Sequence, residues 1–409
     1  MKRAVDLMVH VGMRAFPPFD MFYINYFARR RGNSILKLNP TSFSDYCKAT
    51  GGRMTIIEDA QERPVYQPEY YPEGQAKEYA FRSPSIYLSE LEDVTVHGGS
   101  GLVITGDRAL TDISANDIEG RVLYRSGPIV RGNKKTFYLE VSSDTKRLDT
   151  AINLCGIAAS NYFHLTFEIL SRYEYVKQYM EDKEIPVLLD EDARKFPQYV
   201  ELINTVLKDS NVVYVPLHGS VRCKKLIHPS MNTWMPMNVR KKNDFRTADN
   251  LVARSAIENI RKAATEYIRP NGARKIFISR KKASFSRIVN EAEVARLFND
   301  NGYEIVCTED LTYRQQVELF SSAACIVGAS GAALTNVVYC NPGAVFGCVI
   351  PKKYNFCIYS SIAHMVGLKE LFLDAKVLRS FRPISTERCI VNMKECRQYV
   401  SRLEALIKQ

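Results

Sequence analysis

The second half of the chain alternates between short apolar runs and longer amphipathic stretches, and few folds accept that rhythm. Residues 275–279 read as a strand before a helix at 291–299, and 303–307 as a strand before a helix at 313–321. Residues 325–328 then precede a helix at 332–339, and 344–350 a helix at 356–365. Strands separated by helices of this length form a parallel sheet covered on both faces. Ligands of such sheets bind beyond the carboxyl ends of the strands. The pairs Ser279-Arg280, Thr308-Glu309 and Ala329-Ser330 are therefore expected to face one crevice.

The most informative of these units is residues 325–343, CIVGASGAALTNVVYCNPG. An apolar strand meets the small residues Gly328, Ala329, Ser330 and Gly331, and a helix follows at once. Small residues let an anion approach the backbone, and a helix start offers unpaired N–H groups and a positive dipole end. The stretch lacks the lysine of a P-loop and the full G-x-G-x-x-G pattern. Two readings stand, a phosphate-type site and a tightly packed strand–helix corner.

Other residues could complete a site. Arg280 sits at a strand end, where a guanidinium matches a pair of phosphate oxygens. Arg287 could clamp the same group or pair with Glu291. Glu309 could bond a sugar hydroxyl, or its neighbours Thr308 and Asp310 could cap the next helix, in which Gln316 lies. In the earlier segment NYFHLTFEILSR, His164 and Glu168 are spaced i, i+4 and share a helix face with Asn161 and Arg172. A histidine backed by a carboxylate is a candidate general base; a buried structural pair is the alternative. The run Asp190-Glu191-Asp192 reads as an acidic helix start or, less favoured, as a metal-bridging pair.

Composition bounds the rest. The 409 residues are 46% hydrophobic and 25% charged, an ordinary globular balance whose length points to two domains. No run approaches a membrane span. The first residues are basic, but Asp6, His10 and Arg14 interrupt their apolar run, so no secretory leader is expected. Ten cysteines without a C-x-x-C pair read as reduced core residues of a cytoplasmic protein, not as disulfides or a zinc site. The net charge of +11 fits anionic ligands or lipid headgroups, and no nucleic-acid module accompanies it. Aromatics beside basic residues at 16–31 suit either a buried element or a peripheral membrane contact.

Before the clear alternation the reading is coarser. The first 150 residues look like an irregular α/β or β-rich elaboration. Residues 161–179 read as a helix, 185–189 as a strand, 196–207 as a helix and 212–217 as a strand. Residues 229–249, with two prolines and Trp234, read as a linker. The following helix places Leu251, Ala256, Ile257, Ile260, Ala264 and Tyr267 near one face and stops at Pro270 and Gly272.

Four blocks, in order, resemble glycosyltransferase family 61: NYFHLTFEILSR (161–172), ISRKKASFSRIVNEAEV (278–294), EDLTYRQQVELFSSAACIVGASGAALTN (309–336) and PGAVFGCVIP (342–351). The resemblance implies an α/β protein of GT-B type, with two Rossmann-like domains facing a cleft and an irregular N-terminal elaboration. The domains are expected at 1–235 on the acceptor side and 236–385 on the nucleotide-sugar side, with 386–409 a helix packing back on the first. It implies an inverting transfer of sugar from a nucleotide-diphosphate donor, with UDP expected, and no obligatory cofactor or metal. The acceptor would be a glycan or lipid-linked molecule of capsule or lipopolysaccharide synthesis. By this resemblance His164 and Glu168 are catalytic, and Asn161 and Arg172 lie on the acceptor side. Arg280, Arg287, Glu309, Gln316, Ser330, Gly331, Ala332, Thr335 and Asn336 lie on the donor side. The chain departs from the family at Ser330, where histidine is usual, and near Gly347, where glutamate is usual. A non-catalytic nucleotide-sugar or glycan-binding module is the alternative function; oligomeric state is not specified.

Overall fold

The computed structural model describes residues 17–72, 77–112, 127–142, 145–179, 185–208, 210–235, 250–270, 272–283, 287–354, 356–378 and 387–409. Two sheets dominate. The second half forms the expected parallel sheet, joined at one edge by a strand of the first half, in the order Glu304–Val306, Arg274–Ile278, Ala323–Ala329, Val345–Val349, Lys369–Leu373 and Tyr70–Tyr71. Every pairing in it is parallel. Its central strands are apolar on both faces because helices cover both. The chain lays down Arg274–Ile278, steps outward to Glu304–Val306, then crosses back past the first strand to Ala323–Ala329. The gap between Arg274–Ile278 and Ala323–Ala329 is thus a topological switch point.

The first half contributes an eleven-stranded mixed sheet. At one end lie the parallel strands Val212–Val215, Val187–Asp190, Thr145–Asn153 and Ser220–Pro229, in that order. A second switch point falls between Thr145–Asn153 and Ser220–Pro229. Ser220–Pro229 then runs antiparallel to Ile86–His97. The sheet continues through Leu102–Thr105, Arg108–Leu110, Asn33–Thr41, Phe137–Ser142 and Ile129–Gly132, and Arg53–Glu58 pairs off this path with Ile86–His97. This is the β-rich elaboration expected of the first 150 residues.

One apolar cluster joins the halves. Ile152, Leu165, Phe167 and Leu189 of the first share it with Ile276, Ile326, Val337 and Phe346 of the second. The helix Arg254–Ala263 packs against the segment 164–179 and also touches Ala332–Tyr339. Assigned to the second domain from sequence, it lies between the two halves in the structure.

Two further expectations change. The final helix, Met393–Ile407, packs on Val345–Val349, Lys369–Leu373 and the helix Glu291–Asp300, so it covers the second sheet, and it meets the expected first domain there through Tyr399 against Tyr71. Its apolar face, with Cys396, Tyr399, Val400 and Leu403, closes a core made by Phe277, Val327 and Val345. Nor is the segment 161–179 an α-helix throughout. After one short turn it winds as a π-helix over His164–Ile169 and a 3₁₀-helix over Leu170–Tyr179. Wider and tighter windings leave the same periodicity in sequence, so apolar spacing alone does not separate them. The basic residues Arg240, Lys241 and Lys242 lie outside the described residues. Within 16–31, the helix Pro17–Arg30 buries Ile24 and Ala28 and exposes Tyr26.

Candidate active site

Each switch point carries a cluster of polar side chains. At the second sheet, Ser279 and Arg280 follow the strand Arg274–Ile278. The Glu291 carboxylate accepts bonds from the Ser279 hydroxyl at 2.9 Å and from the Arg280 backbone N–H, which fixes the strand end. The Arg280 guanidinium then sets its Nη1 end against the turn after Ala323–Ala329. A Cβ added to Gly331 would stand 1.8 Å from Arg280 Nη1 and 2.8 Å from its Cζ. Gly331 is extended, with φ 175°, so glycine is required here by space and not by backbone conformation. The Tyr359 hydroxyl, from the helix Cys357–Val366, donates to the Gly331 carbonyl at 2.7 Å and holds the turn from the other side.

Arg287 completes the cationic wall. Burial holds the Arg280 pKa below its ordinary value, and the Arg287 charge pushes it the same way. Two guanidinium groups within reach of each other in a half-buried crevice are mutually repulsive until an anion joins them. The Arg287 Nε is buried without a hydrogen-bond partner among the described residues, as is the Thr335 hydroxyl. Ser330 is buried, and Ala332 opens the 3₁₀-helix Ala332–Tyr339 whose first N–H groups face this turn. Glu309 is exposed in the turn Thr308–Asp310, close enough for its charge to act on Arg280. Neither Thr308 nor Asp310 caps the next helix. Thr312 does, in a capping box with Gln315, while Asp310 pairs with Lys282 at 2.6 Å.

Gln316 and Asn336 take a different part from the one their sequence block implied. Asn336 Nδ2 donates to Gln316 Oε1 at 2.7 Å, and Gln316 Nε2 donates to the carbonyls of Thr308 and Leu311 at 3.1 and 3.3 Å. The Tyr162 hydroxyl donates to Asn336 Oδ1 at 2.7 Å. Both amides are buried and bonded within this seam, which ties Tyr162 of the first half to the segment Ala332–Tyr339 and the helix Tyr313–Ser321 of the second.

From Tyr162 the segment runs on through His164, Glu168 and Arg172. A π turn has more than four residues per turn, so residues four apart stand nearly in line. His164 Nδ1 and Glu168 Oε2 accordingly lie 2.8 Å apart, both buried. Burial lowers the His164 pKa, but the Glu168 carboxylate more than offsets this and the net displacement is upward. Asn161 is exposed, and its side chain accepts from the Phe163 N–H at 3.0 Å, so it starts the helix.

Arg172 reaches the first sheet's switch point. It donates to the carbonyls of Leu154 at 3.1 Å, Cys155 at 3.2 Å and Pro229 at 3.1 Å, clamping the ends of two neighbouring parallel strands. A pocket opens there, lined by Glu168, Arg172, Asp112 and His228 among others. Sequence reading missed His228 and Asp112. The signal existed, since His228 sits at the carboxyl end of a parallel strand, but residue 229 was read as the start of a linker. Tyr359 was also missed, and nothing in its helix distinguished it. As the helix-start reading expects, Asp190 stands at the N-cap of the short 3₁₀-helix Glu191–Arg194 with Glu191 and Asp192 in its first turn, but the Asp190 side chain does not cap it. That side chain is buried, accepts from the Gly99 and Gly156 N–H groups, and burial pushes its pKa up to about 6. Among the described residues no three His, Cys, Asp or Glu side chains converge as a metal site would require.

The fold and crevices define an α/β protein with one cationic and one mixed polar site at the mouths of its two parallel sheets. Residues 162–347 match the family model described as Glycosyltransferase 61. That match makes this span, somewhat under half of the chain, similar to glycosyltransferase family 61. No curated protein matches the chain. Beside Gly347, where the family usually carries glutamate, a Cβ would stand 2.4 Å from the Tyr399 hydroxyl, which donates to Leu371. Among the described residues no helix is long and apolar enough to cross a membrane.

Proposed function

We propose that the protein is an inverting glycosyltransferase of GT-B type, in which the two α/β halves hold acceptor and nucleotide-sugar donor. The observation that carries this reading is the Arg280 guanidinium packed on the Gly331 backbone at a switch point, with Arg287 beside it. That arrangement suits a diphosphate, UDP being the nucleotide to test first.

In the reaction, His164 removes the proton from an acceptor hydroxyl, and Glu168 Oε2 stabilises the imidazolium that forms. The acceptor oxygen attacks the anomeric carbon from the face opposite the diphosphate. The bond from that carbon to the departing oxygen breaks, and the electron pair leaves with the diphosphate. Arg280, Arg287 and the first N–H groups of Ala332–Tyr339 receive the charge. Because these cations can bear the charge, the reaction is proposed to need no obligatory metal. A glycan or lipid-linked acceptor in capsule or lipopolysaccharide assembly, met in the cytoplasm or at the membrane's inner face, fits this chemistry.

A thermal-shift series with UDP, other nucleoside diphosphates and their sugars tests the reading, since a ligand bound only by the folded state raises the melting point. UDP should stabilise the wild-type protein and not Arg280→Ala. Stabilisation without sugar transfer to any acceptor extract would favour a binding module, the reading that Ser330 and the filled space beside Gly347 support. No stabilisation by any nucleotide would remove both.

A further inference from the structure

The pocket at the first sheet is built from buried side chains that have polar capacity to spare. Glu168, Arg172 and His228 are 6%, 3% and 3% exposed, and all three line it. Among the described residues, Glu168 Oε1, Arg172 Nε and His228 Nε2 have no hydrogen-bond partner. Buried polar atoms are normally satisfied, so three orphans on one cavity mark a place where water or a ligand that displaces it supplies the missing bonds. Glu168 is divided between two tasks, with Oε2 on His164 and Oε1 unused.

The network assigns the donors and acceptors. Asn153 Oδ1 accepts from the Cys155 N–H at 3.1 Å, which turns Asn153 Nδ2 toward His228 Nδ1 at 3.2 Å. His228 Nδ1 is therefore an acceptor, and the ring carries its proton on Nε2. That N–H lies 3.6 Å from Asp112 Oδ2, beyond hydrogen-bond length. Asp112 is itself held by the Tyr87 hydroxyl at 3.1 Å. The site thus offers donors at His228 and Arg172 and an acceptor at Glu168.

This pattern excludes other ligand classes. A phosphate would meet the Glu168 and Asp112 carboxylates. A cation would meet Arg172 and a protonated His228 Nε2. An apolar ligand would leave every orphan unpaid. A neutral group bearing several hydroxyls satisfies all three, since each hydroxyl donates and accepts. The Met231 and Met235 side chains line the same pocket and suit the C–H face of a sugar ring.

We propose that this pocket seats a hydroxyl-bearing edge of the acceptor carbohydrate, read by His228 Nε2–H, Arg172 Nε and Glu168 Oε1. The word acceptor rests on the transfer reading above; the saccharide site itself does not. Because Glu168 also holds His164, a hydroxyl bonded at Oε1 orients the pair as the sugar docks.

The test is saturation-transfer NMR on the full chain with methyl glycosides of glucose, galactose, mannose, xylose and N-acetylglucosamine at millimolar concentration, run beside the UDP thermal shift. At least one glycoside should receive saturation. Met235→Trp, which fills the pocket from a half-buried position, should abolish that signal and leave the UDP shift intact. His228→Phe keeps a ring of similar shape and removes the donor, and should weaken the glycoside by about tenfold. Absence of transfer to every glycoside, or transfer that both variants leave unchanged, overturns the proposal even if UDP stabilises the protein. Glycoside signals that follow the variants without any UDP shift support the pocket and remove the transferase reading instead.

Discussion

The two crevices obey one topological rule and are furnished differently. Both lie where the strand order reverses, beyond the carboxyl ends of parallel strands. The crevice of the second sheet presents Arg280 and Arg287 over a glycine backbone, with burial and like charge both pressing on Arg280. The crevice of the first sheet balances Arg172 against Glu168 and Asp112 and adds a neutral imidazole, whose pKa burial holds below the ordinary value. Topology supplies a concave place with unpaired backbone ends; the side chains at those ends choose the ligand's charge. The proposed function gives the departing anion to one wall and uncharged hydroxyls to the other, and the segment 162–179 touches both through Tyr162 and Arg172.

The largest expected effect separates chemistry from binding. His164→Ala should lower transfer by about 10²–10⁴, the usual worth of a general base, while leaving the UDP thermal shift in place. Arg280→Ala should lower turnover by about 10²–10³ and remove the UDP shift as well, whereas exposed Lys281→Ala should stay within about twofold. Equal small losses for the two substitutions would break the contrast between the crevices. Gly331→Ala should follow, weakening UDP by about tenfold or more, because its methyl must displace the end of the Arg280 side chain. The fold should survive it, since the clash is with a flexible side-chain tip. Gly101→Ala in the other crevice should unfold the protein more readily, because its Cβ would meet the Cys155 carbonyl oxygen at 2.4 Å and its φ is +64°.

A pH profile sharpens the comparison further. A base works when deprotonated, and Glu168 holds the His164 pKa above the ordinary value. The acid limb of kcat/KM should therefore lie above the pH of an ordinary histidine, about 6.5, and Glu168→Gln should move it down. The same pair stabilises the fold most below the unfolded histidine's pKa, and that contribution fades as pH rises through the folded value. An unmoved limb in Glu168→Gln would assign the titration to another group. The smallest effect belongs to the seam between the halves. Tyr162→Phe strands Asn336 Oδ1 and should cost about 1–3 kcal/mol of stability in denaturant melts, with UDP affinity nearly unchanged.

Much of this was legible before the structure, for definite reasons. Parallel strands buried on both faces write continuous apolar runs, so each strand and helix between Arg274 and Val366 appears within a few residues of its expected place. Arg280 and Gly331 could be paired because both follow strands of one sheet. The antiparallel part resisted reading because its partners are remote, as with Asn33–Thr41 beside Phe137–Ser142. Gln316 and Asn336 were singled out by residue type, yet type does not say whether an amide meets a ligand or another amide. His228 was lost because a proline after it resembled a boundary. Here Pro229 ends its strand and lends its carbonyl to Arg172.

The two-residue strand Tyr70–Tyr71 comes from the first half of the chain yet pairs with Lys369–Leu373 at the rim of the second sheet. The halves are therefore stitched, not merely stacked. Cutting the gene near residue 235 would strip the downstream fragment of its rim and bare the backbone of Lys369–Leu373 to any passing strand. Any rearrangement of one half against the other has to keep this two-residue pairing or break it.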